Sequence, residues 1–185
     1  MRFFIIHGAH GHSKENWFPW LKEKLIQLGH EVIIPDFPTP ENQTLGNWIN
    51  VFKENFNKID SDTVLIGHSL GVAFILSVLE KINVKIKACF LVAGFIGSLE
   101  ERSELNEINK TFAQKEFNFN KIKENCDKFF LFHSLNDPYV KIGKGEELKE
   151  KLHSELIIIE DAGHFGTKAG YSEFPQLFEK IKELK

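Results

Sequence analysis

The segment Gly67-His68-Ser69-Leu70-Gly71 places a serine between two glycines, after one apolar run and before another. This is a G-x-S-x-G pattern, in which a tight strand-to-helix turn holds the serine above the edge of a sheet. A serine hydroxyl there can attack an acyl carbonyl once a base removes its proton. The pattern predicts Ser69 as a nucleophile and the Leu70 amide, at a helix N-terminus, as a donor to the oxyanion. A tight turn without chemistry is the alternative.

His164 and Asp137 are the residue types that a serine nucleophile needs as partners. Histidine is suited to proton transfer near neutral pH, and a carboxylate orients the imidazole and stabilises its charged form. His164 follows the last apolar run, and Asp137 follows the run before it. Asp161 is the competing acid, although a role in shaping the turn is favoured for it. The chain order Ser69, Asp137, His164 is that of the α/β-hydrolases.

The loop after the first apolar run reads His7-Gly8-Ala9-His10-Gly11-His12. Its glycines allow the backbone to approach the nucleophile closely. We expect the Ala9 amide to be the second oxyanion donor, with His10 as the next choice. The His10 and His12 side chains are expected at the pocket mouth, where His10 contacts substrate. Three histidines could instead bind a metal, but no matching carboxylate or cysteine set accompanies them, so no metal is predicted.

Phe95, Ile96 and Phe165 follow apolar runs at the same edge of the predicted sheet. Together with aromatic residues of Phe112–Phe119 they are candidates for an apolar acyl pocket that binds substrate. Packing inside loops is an equally good interpretation of these side chains. The connection Gly94–Cys126 is the candidate lid or pocket wall, because connections of that length in compact domains usually have a function.

Six short apolar runs, separated by amphipathic segments, must position these residues. The runs are Phe3–Ile6, Val32–Ile34, Val64–Ile66, Ala88–Ala93, Phe129–His133 and Leu156–Ile159. Most are apolar throughout, as in strands that helices cover on both faces. The alternation predicts an α/β fold with a doubly wound parallel sheet of about six strands, in the order 2-1-3-4-5-6. Such sheets bind ligands beyond the carboxyl ends of their strands, where Ser69, Asp137 and His164 are expected.

Helical periodicity fills most of the segments between these runs. It predicts helices over Trp17–Leu28, Trp48–Ile59, Val72–Leu79, Arg102–Gln114, Lys121–Asn125 and Phe174–Leu184, and Leu148 and Leu152 mark one more helix. Gly29 is expected to end the first helix, and Ser172 is expected to cap the last one.

Composition argues against several other classes of protein. The formal net charge is −3, with 23 basic and 26 acidic residues, so no electrostatic footprint for nucleic acid is present. Two cysteines are too few for a disulfide framework. No stretch approaches the roughly 20 apolar residues that cross a bilayer, and the initial MRFFIIHG has no cleavage signature. We expect one cytoplasmic domain over residues 1–185, without cofactor, nucleic-acid or membrane partner; no protein partner is indicated.

Five segments together resemble a known family. IIHGAHGHSKENWFPWL, GHSLG, LVAGF, HSLNDPYV and DAGHF are similar to motifs of the YdeN-like small serine hydrolases, α/β-hydrolases that include the vertebrate retinoblastoma-binding serine hydrolases. The resemblance covers essentially the whole chain. It implies a compact fold without a large cap domain, with nucleophile Ser69, acid Asp137 and base His164. The L-x-C-x-E segment linked to retinoblastoma protein binding does not occur here, so that partner is not implied.

The leading hypothesis is a carboxylesterase-like serine hydrolase that cleaves a small-molecule acyl substrate through an acyl-enzyme. Thioesters and amides stay open as substrates, because the same triad serves all three. The alternative is a non-catalytic binding protein that retains the fold and holds a partner in the pocket or on Gly94–Cys126.

Overall fold

The computed structural model describes residues 1–184, built around a six-stranded sheet in which all neighbouring strands run parallel. The strands are β1 (Arg2–Ile6), β2 (Glu31–Ile33), β3 (Thr63–His68), β4 (Ile86–Val92), β5 (Cys126–Ser134) and β6 (Glu155–Ile159). Their order, β2-β1-β3-β4-β5-β6, confirms the order predicted from the sequence. All six predicted strands are present, with small differences at their ends.

Seven α-helices within residues 1–184 cover the two faces of this sheet. They are α1 (Phe18–Gln27), α2 (Leu45–Phe52), α3 (Leu70–Leu79), α4 (Ser103–Ala113), α5 (Phe119–Glu124), α6 (Ile142–Leu152) and α7 (Pro175–Lys182). The buried side chains of α1 and α7 share one hydrophobic core, and those of the other five helices share a second core on the opposite face. The fold is therefore a three-layer α/β arrangement.

The apolar strands are explained by these two cores. In β1, Phe3 and Ile5 point into the core beneath α1 and α7, whereas Phe4 and Ile6 point into the other core. Because both faces are covered, neither set of alternating side chains can be polar. Helix α3 is buried at all ten of its positions, as its almost uniformly apolar sequence predicts.

Several helix boundaries differ from those predicted, and two of the differences have a clear local reason. The stripe Trp48–Ile59 does not form one helix, because the α-helix ends at Phe52 and a 3-10 helix, Lys53–Lys58, follows. Asparagines and charged residues dominate that second part, and asparagine is a poor helix former. The last helix starts at Pro175 and not after Ser172. Proline is favoured at the first helical position because its missing N–H would have no partner there.

The connection from β4 to β5 carries α4 and α5 and lies over the carboxyl edge of the sheet without forming a separate cap domain in residues 1–184. Gly29 has a φ of 79° just beyond α1, as expected of a glycine that ends a helix. None of the helices of the described chain has the length and apolar character needed to cross a membrane.

Candidate active site

Ser69 lies on the turn between β3 and α3, with φ 54° and ψ −120°. Positive φ in a residue with a side chain is strained, and such strain concentrates where a fold holds a functional group in place. The Ser69 amide donates a hydrogen bond to the Val92 carbonyl of β4, at 2.8 Å. Gly71 is needed on the other side, because a Cβ there would lie 2.5 Å from the Ile6 carbonyl oxygen. The serine is thus fixed at the carboxyl edge of the sheet.

His164 and Asp137 form a hydrogen-bonded pair at the same edge. Nδ1 of His164 lies 2.7 Å from Oδ2 of Asp137, and the side chains are 19% and 0% exposed respectively. The other carboxylate oxygen accepts hydrogen bonds from the amides of Tyr139, at 2.8 Å, and Val140, at 3.0 Å. Because an ionised carboxylate only accepts, Nδ1 carries a proton, and in the neutral imidazole the lone pair is then on Nε2.

The surroundings of Asp137 favour its ionised form. Burial alone would raise the pKa of this carboxyl group. The hydrogen bond and charge of His164 and the two backbone amides act in the opposite direction, and the resulting pKa lies below the ordinary value for aspartate. Asp161, the competing acid, instead accepts a hydrogen bond from the Asn136 amide at 2.8 Å, which agrees with a role in shaping the turn.

One cavity of about 760 Å³ connects Ser69 with His164. Both side chains line it, and Asp137 lies buried behind the imidazole. Within residues 1–184, the Ser69 hydroxyl forms no hydrogen bond with His164. Such contacts are often long in free enzymes and tighten when substrate binds. The volume is in the range of small-molecule sites, about 300–1,000 Å³.

Two backbone amides beside Ser69 have no acceptor in the described chain. One is the Leu70 amide at the first position of α3, and the other is the Ala9 amide in the loop after β1. That loop passes very close to the serine, since a Cβ on Gly8 would lie 2.9 Å from Cβ of Ser69. The His10 amide is occupied, because it donates to Oγ1 of Thr39 at 2.8 Å. Between Ala9 and His10, Ala9 is therefore the better candidate for the second oxyanion donor.

His68, directly before the serine, contacts the backbone of His164. Nε2 of His68 lies 2.8 Å from the His164 carbonyl oxygen, and the two rings are 4.9 Å apart. Burial lowers the pKa of His68 to about 3, so the ring is neutral and donates through Nε2. Sequence reasoning did not assign a role to His68, although its place next to Ser69 on the strand end was a signal.

Asn136 and Ser134 hold the segment before His164, and this network was also missed in the sequence. Oδ1 of Asn136 accepts hydrogen bonds from the Gly163 amide and the Ser134 hydroxyl, both at 2.7 Å. The Ser134 hydroxyl in turn accepts from the Ala162 amide at 2.9 Å. With its bond to Asp161, the Asn136 side chain therefore joins the loop after β5 to the loop after β6. Polar residues beside Asp137 at a strand end were the available signal.

The predicted substrate-contacting side chains divide into two groups. His10 and Phe95 line the cavity. Ile96 and Phe165 are not among the residues that line it: they are 7% and 0% exposed and belong to the hydrophobic cores on opposite faces of the sheet, which agrees with the alternative interpretation of packing. Phe165 turns inward because its backbone adopts a φ of 51°, which packs its ring beside Phe174.

The histidines of the loop after β1 have separate surroundings. His7 donates through Nδ1 to the Gly8 carbonyl at 2.8 Å and accepts through Nε2 from the Phe37 amide at 3.0 Å. Both of its nitrogens are thus used to shape the loop. Over residues 1–184, no group of three or more His, Cys, Asp or Glu side chains is arranged to hold a metal ion.

A parallel sheet in this order, with a serine on the turn after β3 and an acid and a histidine after β5 and β6, defines an α/β-hydrolase fold. The chain belongs to the serine hydrolase family, whose model matches residues 3–183. It is 29% identical to the hydrolase YdeN of Bacillus subtilis, over 96% of this chain and 93% of that protein. It is 25% identical to the serine hydrolase RBBP9 of Rattus norvegicus, over 93% and 88% of the two chains. The crystal structure of the B. subtilis ydeN product superposes with a TM-score of 0.92 at 28% identity, covering 99% and 97% of the chains.

Proposed function

We propose that this hydrolase cleaves a small carboxylic ester through an acyl-enzyme on Ser69, with His164 as general base and Asp137 as its acid partner. The observation that supports this most strongly is the 2.7 Å pair of His164 and Asp137, which faces the cavity that also contains Ser69. Two further groups are assigned to the oxyanion hole, the backbone amides of Ala9 and Leu70.

In the first half of the reaction, Oγ of Ser69 attacks the acyl carbonyl while Nε2 of His164 takes its proton. The negative charge that develops on the carbonyl oxygen is stabilised by the Ala9 and Leu70 amides, which have no acceptor within residues 1–184 and are free to donate to it. The imidazolium, stabilised by ionised Asp137, then protonates the leaving group. Water then attacks the acyl carbonyl while His164 takes its proton, and the imidazolium returns that proton to Oγ of Ser69 as the bond to the serine breaks and the carboxylic acid leaves.

The cavity suggests where the two parts of the substrate lie. The leaving group departs next to the imidazole that protonates it, and the rim there is polar, with Asn16, Thr167 and Lys168. We assign the acyl chain to the apolar part of the cavity wall, which includes Phe95 and Leu105. A small acyl group with a polar alcohol as leaving group fits this distribution. Thioesters and amides need the same machinery and are distinguished by the test.

The test is hydrolysis of p-nitrophenyl butyrate by the wild type, Ser69→Ala and Ser77→Ala. Ser77 is the matched control, since it is a buried serine on α3, the helix that follows Ser69, and its hydroxyl donates to the Ala73 carbonyl at 3.1 Å. We expect Ser69→Ala to lower kcat by at least about 10³-fold with unchanged circular dichroism, and Ser77→Ala to keep near wild-type activity. Near wild-type activity of Ser69→Ala would reject the assignment.

A matched set of butyryl substrates then separates the reaction classes. Wild-type kcat/KM is compared for a butyryl ester, a butyryl thioester and a butyryl anilide, with the Ser69→Ala variant as blank. We expect the ester to be the best of the three. A preference for the thioester or the anilide would keep Ser69 as the nucleophile but would show that the substrate is not an ester.

A further inference from the structure

One polar side chain is set into the apolar wall of the cavity. Asn109 of α4 is 3% exposed and lines the cavity beside Phe95, Leu99 and Leu105. Nothing in the proposed reaction uses this side chain. A primary amide has two donor hydrogens and one acceptor oxygen, and a buried amide group without partners costs stability. The hydrogen bonds of Asn109 therefore show what this wall is built to contact.

A chain of hydrogen bonds fixes which end of the Asn109 amide is free. Oγ1 of Thr39 accepts from the His10 amide at 2.8 Å and donates to Oε1 of Gln43. The amide nitrogen of Gln43 is then directed to the Ile108 carbonyl, at 3.4 Å, and to Oδ1 of Asn109, at 3.0 Å. Since its oxygen accepts from Gln43, the group of Asn109 that remains is the Nδ2 donor. Within residues 1–184 this NH₂ group donates no hydrogen bond.

A purely alkyl acyl chain would displace water from the Asn109 NH₂ group without offering a hydrogen-bond acceptor in its place. A chain that carries an acceptor oxygen would replace the lost hydrogen bond to water. Leaving a buried donor without a partner costs more free energy than a typical hydrogen bond contributes to stability. We infer that the substrate is an ester whose acyl chain bears an acceptor oxygen, such as an oxo group, bound by Nδ2 of Asn109. This inference rests on the proposed function, because it takes the apolar wall to be the acyl side.

The kinetic test uses pairs of p-nitrophenyl esters that differ by one oxo group: pentanoate and 4-oxopentanoate, hexanoate and 5-oxohexanoate, heptanoate and 6-oxoheptanoate. For each pair, kcat/KM of the oxo ester is divided by kcat/KM of the alkyl ester. This ratio is then divided by the ratio of the two rates of alkaline hydrolysis, which corrects for the different chemical reactivity of the two esters. We expect the wild type to show a ratio of about three to ten at one chain length. In Asn109→Leu this ratio should fall to about one.

Two further variants separate recognition from packing. Asn109→Asp keeps an oxygen acceptor for Gln43 but has no NH₂ group, so it should also lose the oxo preference. Leu105→Ala, at a neighbouring position of the same wall, should change both members of each pair by the same factor. Equal ratios in the wild type and in Asn109→Leu at all three chain lengths would overturn the inference, even if Ser69→Ala is inactive as proposed.

A binding measurement keeps the inference separate from turnover. Dissociation constants of 4-oxopentanamide, 5-oxohexanamide and their alkyl counterparts are measured by NMR titration on Ser69→Ala and on Ser69→Ala combined with Asn109→Leu. We expect one oxo amide to bind about three- to tenfold more tightly than its counterpart, only when Asn109 is present. Equal affinities, or binding of none of the amides, would contradict the inference whether or not Ser69 is the nucleophile.

Discussion

His133 is a buried histidine whose ring nitrogens have no hydrogen-bond partner within residues 1–184, and its replacement gives a prediction that does not depend on the proposed function. It lies on β5 with no solvent exposure, and neither ring nitrogen has a hydrogen-bond partner within the described chain. Its ring is covered by α6, where a Cβ on Gly145 would come within 2.6 Å of the imidazole Cδ2. His133→Leu therefore removes a titratable group without breaking any hydrogen bond.

Burial lowers the pKa of His133 from 6.5 to about 4; the nearby charge of Asp137 opposes this shift and that of His164 adds to it. Below pH 6.5 the His133 imidazole binds a proton in the unfolded chain, whereas in the folded protein it stays neutral down to about pH 4. Stability is therefore lost as the pH falls from 6.5 toward 4, because the unfolded state binds more protons there. At 1.36 kcal/mol per pKa unit, the contribution of His133 to this loss is about 2 kcal/mol at pH 5.

The assay is urea unfolding at pH 8 and pH 5, followed by circular dichroism. The quantity compared is the difference in unfolding free energy between the two pH values, for the wild type and for His133→Leu. We expect this difference to be about 2 kcal/mol smaller in the variant. Any packing cost of leucine is present at both pH values and cancels, as does the contribution of His68, whose pKa burial lowers to about 3.

His153→Asn is the control, because this histidine is exposed and has a φ of 52°, a conformation that asparagine tolerates. It should keep the wild-type difference between pH 8 and pH 5. If His133→Leu also keeps that difference, the reasoning that links burial of the ring to acid sensitivity is refuted.

Three further substitutions probe the site. Gly71→Ala should cost about 3 kcal/mol or more in urea unfolding, because its Cβ would meet the fixed Ile6 carbonyl oxygen at 2.5 Å, whereas Gly46→Ala, with nothing within 4 Å, should cost nothing; equal stabilities would contradict this packing argument. Asn136→Ala should lower kcat by about tenfold while the KM of p-nitrophenyl butyrate stays within about twofold, since it loosens the segment that holds the imidazole; an unchanged kcat would exclude that positioning role. Asp137→Asn should lower kcat by about 10³- to 10⁴-fold with the fold retained, and a loss below tenfold would argue against its pairing with the base.

The sheet could be predicted in full because its cause is local and repeated. Each of the six strands is covered on both faces, so each appears as a short apolar run, and right-handed crossovers leave few possible orders. The ends of the helices were harder to predict from the sequence. A stripe such as Trp48–Ile59 records which side is buried but not whether the backbone stays α-helical, so the change to a 3-10 helix at Lys53 left no clear signal.

The positions after strands indicate an edge of the sheet but not a direction for the side chain. Ser69, Asp137 and His164 lie at the predicted edge, and so do Ile96 and Phe165, whose side chains turn into the core instead. Whether such a residue faces the cavity depends on local backbone angles, such as the positive φ of Phe165, which its neighbours in sequence do not reveal.

The role of the Asn109 side chain could not be predicted from the sequence for a different reason. Its orientation depends on Gln43, which bonds to α4, and on Thr39, which bonds to Gln43; both lie about 70 residues earlier in the chain and are brought to α4 only by the tertiary fold. Asn136 and His68 were closer to detection, since each directly precedes one of the residues assigned to catalysis.

The most direct test of the central claim, that Ser69 is activated by the pair of His164 and Asp137, is covalent labelling with a fluorophosphonate probe followed by intact-protein mass spectrometry and peptide mapping. We expect one adduct per wild-type chain, on the peptide that contains Ser69. Labelling should be absent in Ser69→Ala, strongly slowed in His164→Ala and unaffected in His153→Asn. A wild-type protein that stays unlabelled, or one in which His164→Ala is labelled as fast as the wild type, would contradict the account.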